Sequence, residues 1–423
     1  MTNNTNDLRL FYTFAHLKKN ANMTYILILL SIFFVIVGLL CSKNNFLSPS
    51  VLTGFVWCGG LISYLICGSS IADLSVNFYI CLAVWIIGTC MSSLVSQSAT
   101  YHDSKLSEPS KLLRDVYLFI SVISLPQLYF FASVALINGA SGNWALDLRL
   151  AALGQGSGFE EIFSGIFVII WQVTILLELL CYDPKKKWRL FVASACYLSF
   201  GIVTMSKIIF LNYFIYACSI LYFKKHLKLK QIFIGVCVLL FLFVSLQSIR
   251  MAIKFSDVSD SFVNTYVVSN FFAFDTLEPY SSNHFGENTF RILYSIAYKL
   301  GFSSIEPIEA ILKWIQKPIQ TNTYTAMYPF YVDFGIPGIL IFSSIMGFTY
   351  GWLFKKSQTG SNFHILIYAI AITIIVLQYA ADQFFTTLTG NIKLFVFLII
   401  PFLLTKHNLL VIKAKIENTI NKA

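Results

Sequence analysis

The stretch Asn322-Thr-Tyr-Thr-Ala-Met-Tyr-Pro-Phe-Tyr-Val-Asp-Phe-Gly-Ile-Pro-Gly-Ile-Leu340, running on to Gly347, Gly351 and Phe354, decides the fold. Residues 322–331 are polar and aromatic, and an apolar run follows until Lys355 and Lys356 stop it. At 1.5 Å per residue, about 20 apolar residues cross the ~30 Å of bilayer hydrocarbon. Such runs recur along the whole chain, which is 57% apolar and only 12% charged. The sequence therefore predicts an all-α, polytopic bundle of transmembrane helices, with about 11–12 spans. Eleven are placed, at 23–41, 51–68, 76–95, 113–137, 162–182, 188–205, 208–223, 231–248, 329–354, 364–381 and 391–405. Ser206-Lys207 breaks the 188–223 region into a hairpin with a cation at its tip. No linker or fixed-period repeat divides residues 1–423, so a single membrane domain is expected, with one large loop over 248–327.

The formal net charge of +10 does not call for nucleic acid. Lysines flanking spans on the cytoplasmic side account for it. Nearly all nine cysteines lie in or at the ends of apolar runs, with no CxxC or CxxxC spacing, which indicates neither disulfides nor zinc. The first apolar run, Met23 to Leu40, is too long for a signal-peptide core and reads as a retained anchor.

Orientation follows from Lys and Arg in short loops. Lys185, Lys186, Lys187 and Arg189 mark the inner side, as do Lys224, Lys225, Lys228, Lys230, Lys355, Lys356 and the tail lysines Lys406, Lys413 and Lys415. Lys105, Lys111 and Arg114 agree. Residues 138–161, 206–207, 248–327 and 382–390 then lie outside. The N-terminus breaks the rule, because eleven spans place Lys18 and Lys19 outside as well. Within the large loop, Ser303-x-x-Glu306 reads as a capping box opening a helix over 305–316, with Trp314 suited to the membrane interface.

No P-loop, GxGxxG, HExxH or GxSxG is present. Gly154-x-Gly156-x-Gly158 does not sit between a strand and a helix and reads as a flexible loop. No Asp-x-Asp pair exists to hold a metal against a sugar diphosphate, so neither a metal nor another cofactor is expected. What remains is a set of cations on the outer side: Arg149, Lys207, Arg250 and Arg291. The positive-inside bias depletes that face, and guanidinium donates paired hydrogen bonds to phosphate without losing its proton. Acids share the face: Asp147, Glu160, Glu161, Asp275, Glu278, Glu287, Glu306, Asp333 and Asp382. Asp333 is preferred as a base because it stands at a helix mouth. Asn322, Tyr324, Thr325, Tyr328, Tyr331 and the Phe271, Phe272, Phe274 cluster are candidates to line a substrate site or, for the aromatics, an interfacial belt. Gly347-x-x-x-Gly351 is a helix-packing face, and Glu178 near the inner end of its span is expected to be paired or near water.

The Asn-x-Tyr-Thr-Ala lead-in, then Tyr-x-Asp-Phe-Gly-x-x-Gly, then a span with Gly-x-x-x-Gly, resembles the bacterial O-antigen or oligosaccharide repeat-unit polymerases of the Wzy type. Leu47-Ser48-Pro49-Ser50-Val51, Ser206-Lys207 and Arg149 in a glycine-ended loop are similar to theirs too. The sequence departs from the Arg-x10-Gly pattern of some members, since the glycine after Arg291 is Gly301. The resemblance implies a membrane-embedded, metal-independent glycosyltransferase of the inner membrane, active at its periplasmic face. Its substrates would be oligosaccharides on undecaprenyl diphosphate, its surroundings membrane lipids, and a chain-length regulator would be a partner. Arg149, Arg250, Arg291 and Lys207 would bind diphosphate, and Asp333 would take the acceptor proton or orient an arginine. O-antigen ligase and lipid-linked oligosaccharide flippase or exporter are the rival expectations.

Overall fold

The computed structural model describes residues 4–101, 108–153, 165–251, 263–309 and 312–405, the side chains of 4–21, 229, 250 and 251 excepted. Lys105, Glu160, Glu161, the glycines at 154, 156 and 158 and the tail lysines lie outside the described residues. The protein is all-α. Among the described residues the only β pairing is an isolated bridge between Ile315 and Thr321.

Each of the eleven expected spans falls on helix. In chain order these are α1 (Asn4–Cys41), α2 (Pro49–Ser63), continued by a π turn over Tyr64–Gly68, and α3 (Val76–Ser98). Then come α4 (Lys111–Ile123), α5 (Leu125–Ile137), the short α6 (Trp144–Ala152), α7 (Gly165–Leu180), α8 (Lys187–Val203), α9 (Lys207–Phe223) and α10 (Leu229–Met251). After α11 (Ser269–Asp275) and α12 (Arg291–Lys299) the chain ends in α13 (Tyr328–Gln358), α14 (Asn362–Leu377) and α15 (Leu388–Leu403). Among the described residues, six stretches are long and apolar enough to cross a membrane: Asn22–Cys41, Pro49–Gly68, Val76–Ser98, Lys111–Ile137, Lys230–Ile249 and Tyr328–Gln358. The remaining spans, α7, α8, α9, α14 and α15, are described over 16 or 17 residues. That is about 24–26 Å of helix, shorter than the hydrocarbon thickness. Of the Lys230–Ile249 window only 6% is buried. A helix so apolar and so exposed belongs against lipid.

Two boundaries depart from expectation. The single span over 113–137 is two helices, because Pro126 removes a donor and α4 ends at Ser124. The 305–316 helix does not form: the Ser303 hydroxyl accepts from the Ile305 amide, the Glu306 carboxylate accepts from the Tyr298 hydroxyl, and Pro307 interrupts the run. Among the described residues, the short helices of the large loop are α11, preceded by a π turn over Asn264–Val268, and α12.

The chain divides into two compact units. The first comprises residues 1–100, 259–355 and 374–388. Here the Phe271, Phe272, Phe274 cluster neither lines a site nor forms an interfacial belt; it is core. Phe271 packs on Trp57 and Phe78, Phe272 on Tyr64, and Phe274 on Tyr331. Asp275 closes the seam by accepting from the Ser75 amide (2.9 Å) and hydroxyl at the start of α3. Gly347 and Gly351 bring α13 onto the backbone of α3: a Cβ at either would lie 2.2 Å from the Thr89 carbonyl oxygen or 2.3 Å from that of Ser93. The packing face read from Gly-x-x-x-Gly is thus present.

The second unit comprises residues 101–258, 356–373 and 389–423. Its core joins Trp171, Tyr197, Tyr216, Leu366, Leu398 and Phe402. The buried Glu178 on α7 is paired, as expected, with Arg114 of α4 (3.0 Å) and Arg189 of α8 (2.8 Å), and Arg189 also holds Asp115 (2.6 Å).

Candidate functional site

The site is built on a break in α13. Gly335 (φ 63°, ψ −153°) has a backbone open to glycine alone, and a Cβ there would also lie 2.7 Å from the Tyr280 ring. Pro337 follows and cannot restore the helical ladder. The first turns of α13, from Tyr328 to Phe334, are therefore set apart from the long membrane-crossing part. Asp333 ends this piece. Its carboxylate accepts from the Thr289 amide (2.7 Å), the Asn288 side-chain amide (2.8 Å) and the Asn288 backbone (3.4 Å). Asn288 in turn accepts from the Tyr328 hydroxyl at 3.1 Å. Asp333 therefore holds the turn that leads into α12, and through Asn288 it fixes Tyr328.

Beside this frame, within the first unit, lies a cavity of about 260 Å³. It is formed by Asn288 and Arg291, by Ile308, Glu309 and Leu312, by the lead-in Asn322–Pro329, and by the loop Ala381–Thr387 between α14 and α15. The lead-in is tied to that loop's approach by the Ala326 amide, which donates to the Gln378 carbonyl at 2.8 Å. Of the residues singled out in the sequence, Arg291, Asn322, Tyr324, Thr325 and Tyr328 all line this cavity. The Tyr324 and Tyr328 rings sit 5.0 Å apart, and the Tyr324 hydroxyl donates to the Lys313 carbonyl at 3.1 Å. Burial pushes the Tyr324 phenol up. Thr325 is fully buried, and its hydroxyl has no partner among the described residues.

Arg291 donates from Nε to the Ile308 carbonyl at 2.8 Å. Among the described residues no carboxylate pairs with it. Partial burial lowers its affinity for its proton, the direction desolvation imposes on a cation. Asp382 is the buried acid of the cavity. It accepts from the Thr386 amide (2.8 Å) and the Phe384 amide (3.1 Å), yet burial outweighs these bonds and pushes its carboxyl up to about 6. Glu309 lines the same space from an exposed position.

The other sequence candidates lie elsewhere. Asp333 and Tyr331 do not line the cavity. Tyr331 is buried in the core, against Phe274 and Asn77. The assignment of Asp333 as a base gives way to a positioning role, because its carboxylate does not line the cavity and holds Asn288 and Thr289 instead. Arg149, Lys207 and Arg250 belong to the second unit. Arg149 is in the last turn of α6, and Lys207 opens α9 and donates to Gln247 of α10 at 2.6 Å. Arg250 is near the end of α10, its side chain outside the described residues. One apolar cluster joins Leu148 of α6 and Met205 of the α8–α9 turn, with Leu246 of α10 packed against it, so the stretches that carry these three residues meet at one end of their unit. Ser48 and Ser50, familiar from the early motif, are buried at the start of α2, where Ser48 donates to Gln97 at 3.2 Å.

Glu309 and Asn288 were not singled out in the sequence, and Asp382 was one acid among nine. A proline two residues before Glu309 and the polar cluster Asp382-Gln383 between two apolar runs were the only signals. Among the described residues no cluster of His, Cys, Asp and Glu has the makings of a metal centre.

No protein-family model matches the chain, and no curated protein or solved structure matches it either. Fold and site together define a multi-pass, all-α membrane protein with a cavity built from Asn288, Arg291, the 322–329 lead-in and the 381–387 loop.

Proposed function

We propose that the protein is a glycan polymerase that joins oligosaccharide repeat units carried on undecaprenyl diphosphate, acting at the periplasmic face of the bacterial inner membrane. The observation that carries this reading is the cavity: the lead-in Asn322–Tyr328, Arg291 and the Asp382 loop, far apart in sequence, line one space in which charged and hydroxyl groups interrupt an apolar wall. A water-exposed sugar reaction on a lipid carrier requires such a space at the end of membrane helices. Diphosphate is a good leaving group once cations meet the charge that develops on it, so no metal is needed. Arg291 has terminal nitrogens for that task. Arg149, Lys207 and Arg250, gathered at one end of the second unit, fit the binding of a lipid diphosphate.

The test is lipopolysaccharide banding from a deletion strain carrying wild type or Arg291→Ala. A polymerase gives a ladder with wild type and core plus one repeat unit on deletion. Loss of all O-antigen on deletion would instead indicate a ligase or a flippase. With Arg291→Ala at normal expression we expect single-unit bands; an unchanged ladder removes Arg291 from the site.

A further inference from the structure

The charge of the cavity is mixed. Among the described residues its charged lining is one guanidinium, Arg291, against two carboxylates, Glu309 and Asp382, with no lysine. One guanidinium can meet a leaving diphosphate, but this lining does not make a pocket that encloses one. The rest of the lining is of another kind: amides from Asn288, Asn322 and Gln383, hydroxyls from Thr323, Thr325 and Thr386, and the Tyr324–Tyr328 pair. Amides, hydroxyls and carboxylates complement the hydroxyls of a sugar, and the tyrosine pair offers an apolar surface to its C–H groups. Thr325 adds an independent mark. A fully buried hydroxyl with no partner is costly unless something that enters the cavity supplies one. The volume of about 260 Å³ is below the ~300–1,000 Å³ of pockets for larger ligands, which favours one ring over several.

We infer that this cavity is the acceptor subsite of the reaction proposed above, taking a single uncharged or amino-substituted sugar ring, with Asp382 accepting the proton of its attacking hydroxyl. This rests on the polymerase reading. In the step, the acceptor O–H passes its proton to the Asp382 carboxylate while its oxygen bonds to the donor's anomeric carbon. The anomeric C–O bond to the diphosphate breaks, its electron pair leaving with the polyprenyl diphosphate, and Asp382 later returns the proton to water. The Phe384, Phe385 and Thr386 backbone and the Thr386 side chain hold the Asp382 carboxylate in place on the cavity wall. Its position near neutrality suits a general base. The charged and titratable groups around it are Arg291 and Glu309 across the cavity and Tyr350 on α13.

The experiment uses the full-length protein in nanodiscs, its melting followed with N-acetylglucosamine, glucosamine, glucuronate and inorganic pyrophosphate at matched concentrations. N-acetylglucosamine or glucosamine should raise the melting temperature; glucuronate should not. Thr325→Val removes only the orphan hydroxyl, so it should fold as well as wild type yet show a smaller sugar shift. Asp382→Asn should keep the sugar shift and lose roughly 10²–10⁴-fold in chain extension. Protection by pyrophosphate without protection by sugars would overturn the subsite. So would equal sugar shifts in wild type and Thr325→Val, or no shift with any sugar. A normal ladder from Asp382→Asn would remove it as base. If sugars bind as expected but the deletion strain keeps its ladder, the polymerase reading fails and the sugar pocket stands.

Discussion

Asp382 and Asp333 are both buried, hydrogen-bonded acids at the mouths of helices, and their place relative to the cavity separates their roles. Asp333 accepts three hydrogen bonds and anchors the turn before α12. Replacing it with alanine strands the Asn288 and Thr289 donors and frees Tyr328. We expect a loss of about 1–3 kcal/mol, read as a lower melting temperature, with Asp333→Asn recovering part of it. Asp382 accepts from the Phe384, Phe385 and Thr386 backbone, and burial still lifts it from 3.8 to about 6. Its folded value exceeds its unfolded value, so the native state holds the proton more tightly. Stability from this group is full below about pH 4 and is lost as pH rises through about 6, by at most about 3 kcal/mol. Melting curves between pH 4 and 7 should show wild type losing stability along this window, while Asp382→Asn flattens the slope. Chain extension should run the other way, rising through about pH 6 as the carboxylate becomes available.

At the scale of elements, α13 carries two opposite demands along one helix. Its long apolar part must lie against α3, and Gly347 and Gly351 permit this by leaving room for the Thr89 and Ser93 carbonyls. Gly347→Val forces these backbones apart. We expect a destabilisation of about 3 kcal/mol or more, seen as poor expression and early melting, even though the residue is far from the cavity. Its first turns must instead point the lead-in toward the 381–387 loop, and the left-handed Gly335 provides the bend. The α4–α7–α8 contact is sealed by Glu178 between two arginines, each about 15% exposed. Glu178→Ala leaves the mostly buried Arg114 guanidinium without its carboxylate and Arg189 with Asp115 alone. Such a break costs about 3–5 kcal/mol, which chemical or thermal unfolding in detergent would register.

For the whole molecule, the division of charge is the main feature. The first unit holds a cavity richer in carboxylate than in guanidinium, and the second gathers Arg149, Lys207 and Arg250 at one end and the Glu178 network with Lys111 and Lys186 elsewhere. If the lysine-rich loops are inside, a cysteine at Ser281 reacts with an impermeant maleimide in intact cells. One at Lys185 reacts only after permeabilisation. Both belong in a background freed of the exposed Cys41 and Cys237. The reverse pattern would invert the topology and place the cavity at the cytoplasmic face.

The sequence by itself determined the spans, because hydrocarbon thickness imposes a length and a composition that a single chain displays openly. It also determined the small-residue face of α13, since close backbone approach has one chemical solution, and five of the cavity residues, because Arg291 and the 322–328 lead-in stand out against an apolar background. Only the tertiary structure decided that Asp333 is a hydrogen-bond anchor and that Phe271, Phe272 and Phe274 are core. Only it placed Asp382 and Glu309 beside Arg291. Those outcomes depend on which segments meet across tens to hundreds of residues. Burial and hydrogen bonding, which assign a carboxylate its role, exist only after they have met.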